Sequence, residues 1–243
     1  MKRKSITLAV TAFSALAAVT QSSSAAVLAG WDFDPLAGGL NNFGASPLSA
    51  TTAAANLTVG GLTRGSGVGT TGTGAANAWG GNDFIIATPT EAAAITANEF
   101  ATVGITASTG FTVSYDNIAA YNIRRSATGP STGQWQYQLG SGSFVDIGTD
   151  ITWGGTTTAV GNTQPLINLT GISALQNVAA GTAVTFRAVT WGATSTGGTW
   201  YLNDPVGAAG NDFVINGTVT AVPEPSSALL GGLGLLALLR RRR

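Results

Sequence analysis

The chain has 243 residues and carries eleven Lys and Arg against eleven Asp and Glu, so its formal net charge is zero. It contains no cysteine and no histidine, which excludes a disulfide framework, thiol chemistry and a Ser-His-Asp triad and leaves zinc and copper without their usual ligands. Charged residues make up 9% of it, against about 25% in an average soluble protein.

The two ends hold most of the cations. Lys2-Arg3-Lys4 is followed by a mostly apolar stretch from Ile6 to Val19, and Ser24-Ala25-Ala26 offers small residues at the −3 and −1 positions. This pattern reads as a secretory signal peptide over 1–26, cleaved before Val27, and implies Sec-type export machinery and a signal peptidase as partners. The region 27–222 keeps four arginines (Arg64, Arg124, Arg125 and Arg187) against ten acids, a net charge of −6. Such a body repels phosphate backbones, which argues against nucleic acid as a partner.

Between the ends, alternation dominates over helical periodicity. Strands are predicted at Val27–Phe33, Asn56–Thr63, Asp83–Ala87, Glu99–Thr106, Phe111–Tyr115 and Ile118–Arg124, then at Trp135–Leu139, Ser143–Ile147, Val184–Arg187, Thr199–Asn203 and Asp212–Thr220. Trp135, Tyr137 and Leu139 share one face of theirs, with the glutamines on the other. The phase slips before Val189 and Trp191, the mark of a bulge. One short helix is expected over Thr90–Ala97, capped by Thr90, and a second helical piece near Ser173–Val178. Gly65–Ala78 is rich in Gly, Thr and Ala and reads as a long, mobile loop; it has no lysine, so it is no phosphate loop. Many short strands separated by Gly, Asn and Ser predict an all-β body over 27–220, an antiparallel β-sandwich or jelly roll. Gly81-Asn82-Asp83-Phe84 recurs as Gly210-Asn211-Asp212-Phe213, the copies following Trp79 and Trp200.

The segment 221–243 stands apart from the body. It holds Val222-Pro223-Glu224-Pro225, an apolar run to Leu239, and the cluster Arg240, Arg241, Arg242 and Arg243. The 14 residues from Ser226 to Leu239 make about 21 Å of helix, against a hydrocarbon core of about 30 Å. Snorkelling arginines extend that reach, so the run just suffices as a short transmembrane helix. The four arginines form a cytoplasmic anchor, which leaves the body outside the inner membrane.

Candidate chemistry in the body is sparse. Asp32 with Asp34, Asp146 with Asp150, Asn203-Asp204 and Asn211-Asp212 are the acidic groupings; two carboxylates about 5–10 Å apart could run a glycoside hydrolase, but turn-forming Asp and Asn explain the same residues. A structural calcium is a second option, with Asp83, Asp204 and Asp212 as its ligands, although no D-x-D-x-D-G loop is present. A third is a carbohydrate platform of exposed tryptophans: Trp153 and Trp191 each precede glycine, and Trp200 is adjacent to Tyr201, so the two point to opposite faces of a strand. Of Arg124 and Arg125, one is expected in solvent and one paired with an acid.

The C-terminus resembles the PEP-CTERM sorting signal: Pro223, Glu224 and Pro225, then a short hydrophobic helix, then an arginine cluster. The resemblance implies an exported protein handled by an exosortase, with processing around the Pro-Glu-Pro triplet. The body also resembles a set of exported domains that carry this C-terminus, through Gly30-Trp31-Asp32-Phe33, Glu91 to Phe100 and Arg124 to Pro130. That likeness implies a β-sandwich of unassigned activity. Together these readings favour a non-catalytic cell-envelope or extracellular-matrix protein, with an extracellular carbohydrate-binding module as the alternative.

Overall fold

The structure, a computed structural model, describes residues 26–86, 90–205, 207, 209–223 and 240. The expected signal peptide, all but Ala26, and the apolar run 226–239 lie outside the described residues. In chain order the strands are β1 (Ala26–Trp31), β2 (Gly39–Leu40), β3 (Thr52–Ala53), β4 (Leu57–Val59), β5 (Thr63–Arg64), β6 (Thr73–Gly74) and β7 (Ala78–Gly81). After helix α1 (Glu91–Thr96) come β8 (Phe100–Ala107), β9 (Phe111–Ile118), β10 (Tyr121–Arg125), β11 (Thr132–Leu139), β12 (Val145–Thr152), β13 (Asn162–Gln164) and β14 (Ile167–Asn168). A 3-10 turn at Ser173–Leu175 leads to β15 (Val178–Ala179), β16 (Ala183–Trp191), β17 (Trp200–Asn203) and β18 (Phe213–Ala221).

The described residues form an all-β body with antiparallel pairings, as the alternation predicts. One six-stranded sheet runs β14-β9-β18-β1-β3, with β15 also on β9. A second runs β12-β11-β16-β8-β4, with β5 also on β8. Their facing side chains make one core: Trp135 of the second stacks on Phe213 of the first at 5.6 Å, and Tyr115 meets Phe186 edge-on at 5.1 Å. Aromatic pairs of this kind add about 0.5–1.5 kcal/mol each beyond their area burial. A four-stranded sheet, β13-β10-β17-β7, closes one end of this core, and its Tyr121 packs edge-on against both Trp135 and Phe213.

Several local expectations are corrected. β16 pairs with β11 without a break from Val184 to Trp191, so there is no bulge there. The apolar phase changes because the outer face of β16 is covered: Val189 and Trp191 pack with Ala94 of α1, while Phe186 and Ala188 face the core. The same cover buries Gln136, one of the two glutamines on the polar face of Trp135–Leu139, while Gln138 is half-buried. Gln134, also on that face, is buried as well and donates to the carbonyls of Trp135 and Ile147 at 2.9 and 3.1 Å. The predicted cap holds, with Thr90 Oγ1 accepting from Ala93 N at 3.3 Å.

Residues 83–86 form no strand. Asp83 is left-handed at φ 63°, which turns the chain off the sheet, and Ile85 and Ile86 are exposed. The second copy of that motif does enter a strand, at Phe213. The stretch 65–78 is tied down rather than free: Gly69 and Asn82 exchange both backbone bonds, at 2.8 and 2.9 Å, and β6 pairs with β2. The phase also misplaces Ile118, which ends β9; the chain then crosses to the four-stranded sheet at Tyr121.

Candidate sorting junction and polar clusters

The sorting triplet begins where a central strand stops. β18 lies between β9 and β1 and runs to Ala221, and Val222 N donates to Gly110 O at 2.8 Å. Pro223 is exposed, in a shallow cleft of about 460 Å³ formed with Phe111, Ala179, Ala180 and Val222. Proline lacks the N–H that would continue the ladder, so pairing ends there. Of the expected arginine anchor, Arg240 is exposed. Arg241, Arg242 and Arg243 lie outside the described residues, as do Glu224 and Pro225 of the triplet.

The acidic residues gather in two places. Asp212, at the start of β18, accepts from Phe33 N at 2.7 Å, and Asp34 N donates to Asp32 at 3.0 Å. Burial, with repulsion from Asp204, Asp32 and Asp34, raises the Asp212 pKa from 3.8 to about 6, against the pull of the Phe33 N–H. The sequence-predicted Asp204 and Asp212 therefore share one field with the Asp32 and Asp34 pair. Asp83 does not join them. Gly81 pairs with Trp200 and Ala78 with Asn203, so Asp83 and Asp204 leave opposite ends of the four-stranded sheet. Among the described residues no group of three or more carboxylates is arranged to hold a metal ion. The calcium trio is thus split by the antiparallel register of β7 and β17.

The second gathering lies on the outer face of the β12-β11-β16 layer. Gln136 is buried and donates through one Nε2 to Glu91 at 2.6 Å and Asp146 at 2.7 Å. Its Oε1 accepts from Arg187 Nε at 2.8 Å, and the guanidinium also covers the Phe144 ring at 3.6 Å. Burial raises the Glu91 pKa, and Asp146 and Asp150 add to the shift. Sequence reasoning missed this set because Glu91 sits on the helix, 45 residues before Gln136. Its amide bridge ties α1 to the sheet.

The three tryptophans expected as an exposed platform are all buried: Trp153 is 0% exposed, Trp191 6% and Trp200 3%. Trp153 and Trp200 pack on each other at 5.8 Å, and Trp191 lies under α1. Trp200 and Tyr201 do point to opposite faces, but both faces are covered, Tyr201 stacking on Phe43 at 5.7 Å. A sugar-stacking face needs an open ring, so these residues do not supply one.

Arg125 is buried and, among the described residues, makes no acid pair of the kind expected. Its guanidinium donates to the carbonyls of Pro130 at 2.7 Å, Gly129 at 2.6 Å and Gly154 at 3.3 Å, gathering two loops. Arg64 does similar work: it donates to the carbonyls of Gly80, Phe43 and Gly44 and covers the Trp79 ring, and burial lowers its pKa to about 10. Arg124 is half-buried and borders a polar cleft of about 260 Å³ with Ser126, Thr157, Thr199 and Tyr201.

Residues 221–243 match the PEP-CTERM protein-sorting motif. The chain carries a PEP-CTERM sorting motif. It follows that this is an exported, membrane-associated protein directed to an exosortase. The match starts on Ala221, the last residue of β18, so the PEP-CTERM segment joins the folded body without a spacer. No curated protein and no solved structure matches the chain.

Proposed function

We propose that this chain is a non-catalytic cell-envelope or extracellular-matrix protein, held briefly in the inner membrane by its C-terminal apolar run and then released from it by an exosortase. The body stands outside, and Arg240, Arg241, Arg242 and Arg243 stay on the cytoplasmic side. The observation that carries this reading is the sorting motif fused to the end of β18. The polar clusters support it, because their buried members brace the fold: Gln136 ties α1 to the sheet, and Arg64 and Arg125 cap loop carbonyls.

Two epitopes test it, one in the exposed turn at Ser141 and one after Arg243. In cells with an active exosortase the Ser141 epitope is expected on a shorter band that lacks the second epitope. A single full-length band bearing both epitopes, in the presence and absence of the exosortase, refutes processing.

A further inference from the structure

The charges of the body are polarised along the strands. β18 delivers the chain to the sorting motif at one end of the sandwich. Four connections share that end: 54–56, 108–110, 140–144 and 179–182. They are hydrogen-bonded into one rim: Ser108 N to Asn56 O at 2.9 Å, Gly181 N to Ala107 O at 3.0 Å, Gly140 N to Ala183 O at 2.8 Å, and Val222 N to Gly110 O at 2.8 Å. None of the 14 charged residues between 27 and 222 lies in these connections. Asp146 comes nearest, two residues beyond Phe144 of the rim, or about 7 Å at 3.4 Å per residue. Arg187 stands four residues inside β16, but its guanidinium reaches back over the Phe144 ring of the rim at 3.6 Å; Asp116 is five residues inside β9, roughly 17 Å from the rim. Glu91 of α1 lies level with Asp146, since both accept from Gln136; the other charges are near or beyond the opposite ends of their strands.

We infer that this uncharged rim is a membrane-facing surface that rests on phospholipid headgroups while the C-terminal run is inserted. The inference rests on the anchoring reading above. Ala228, the first apolar residue of the run, is five residues beyond Pro223, so at most about 18 Å of chain separates it from the rim. Headgroups fill about 5–8 Å on each side of the hydrocarbon core. A tether that short holds one end of the body against the bilayer. That end offers Phe111, Ala179, Ala180 and Val222 around an open, largely apolar cleft. The net charge of −6 would be repelled by anionic lipid, but the acid nearest the rim, Asp146, shares Gln136 with Arg187, whose positive charge offsets it. The exosortase is the competing occupant, and the short tether together with the apolar cleft beside Pro223 favours lipid.

The chain has no cysteine, so single labels are clean. Thr109→Cys, Ala180→Cys, Leu40→Cys and Leu235→Cys are made in the full-length chain, each carrying an environment-sensitive dye. Each is reconstituted into phosphatidylethanolamine/phosphatidylglycerol vesicles containing a lipid spin-labelled near the headgroup. The labels at 109, 180 and 235 are expected to lose emission to the spin label, and the label at 40 to keep it. Quenching at 235 with none at 109 or 180 overturns the rim and leaves anchoring intact. Absence of quenching at all four positions overturns anchoring and the rim together. Quenching at 109 and 180 that needs co-reconstituted exosortase assigns the rim to the enzyme and refutes lipid contact.

Discussion

Gly133→Ala tests the burial that removes Trp153 from any binding surface. Gly133 lies in β11 beside the irregularity in its pairing with β12, and the Trp153 ring fills the space where a side chain would stand. A Cβ there would overlap the ring at Cζ2, with Cε2 at 2.5 Å and Val189 O at 2.7 Å. Trp153 is fully buried, and Val189 O belongs to the β16 backbone, so neither neighbour gives way cheaply. Overpacking typically costs about 1–3 kcal/mol, and contact with a fixed ring and a backbone carbonyl puts this case near 3 kcal/mol. For a body of this size that lowers Tm by about 6–12 °C. Urea unfolding and calorimetry of the parent, Gly133→Ala, Trp153→Phe and the double variant form a cycle. The smaller ring opens part of the space, so the double variant is expected to be more stable than the sum of the singles by about 1 kcal/mol. A Gly133→Ala cost below about 0.5 kcal/mol, the level of an ordinary surface change, or strict additivity in the cycle, would refute the packing argument.

Asp212→Asn should stabilise the body at neutral pH. The folded pKa is raised from 3.8 to about 6, so the folded state holds the extra proton and the parent loses stability as pH climbs through that window. Discounted for solvent on its open side, the gain at about pH 7.5 is about 1 kcal/mol and it disappears below about pH 4; equal gains at both pH values in urea unfolding would contradict the electrostatic cause. Arg125→Lys removes the fork that gathers the carbonyls of Pro130, Gly129 and Gly154. A loss of about 2–3 kcal/mol is expected from the released charge-assisted bonds, and a variant that unfolds at the parent's urea midpoint would refute that role.

The alternation of Phe111–Tyr115, Trp135–Leu139 and Asp212–Thr220 announces their strands because one face of each carries the apolar side chains. It fails where both faces are covered. Val189 and Trp191 look like a slipped phase only because α1 lies on the outer side of β16; a single strand pattern contains no trace of the element that covers it. The tryptophan error has the same origin, since Trp200 and Tyr201 are buried on opposite sides of β17 by different clusters. The sorting signal was legible because its chemistry is contiguous in sequence. The Glu91–Gln136–Asp146 set was not, because it forms only when the helix docks on paired strands.

The position of β18 also decides how the body bears load. A pull on the C-terminal tail acts along a central strand paired with β9 on one side and with β1 on the other. Tension is then spread over both ladders in shear, so many hydrogen bonds must yield together rather than one after another from an edge. Forced unfolding is governed by the unfolding rate, and this geometry sets it against early rupture at the junction. Traction from the membrane side is met by the best-connected strand of its sheet.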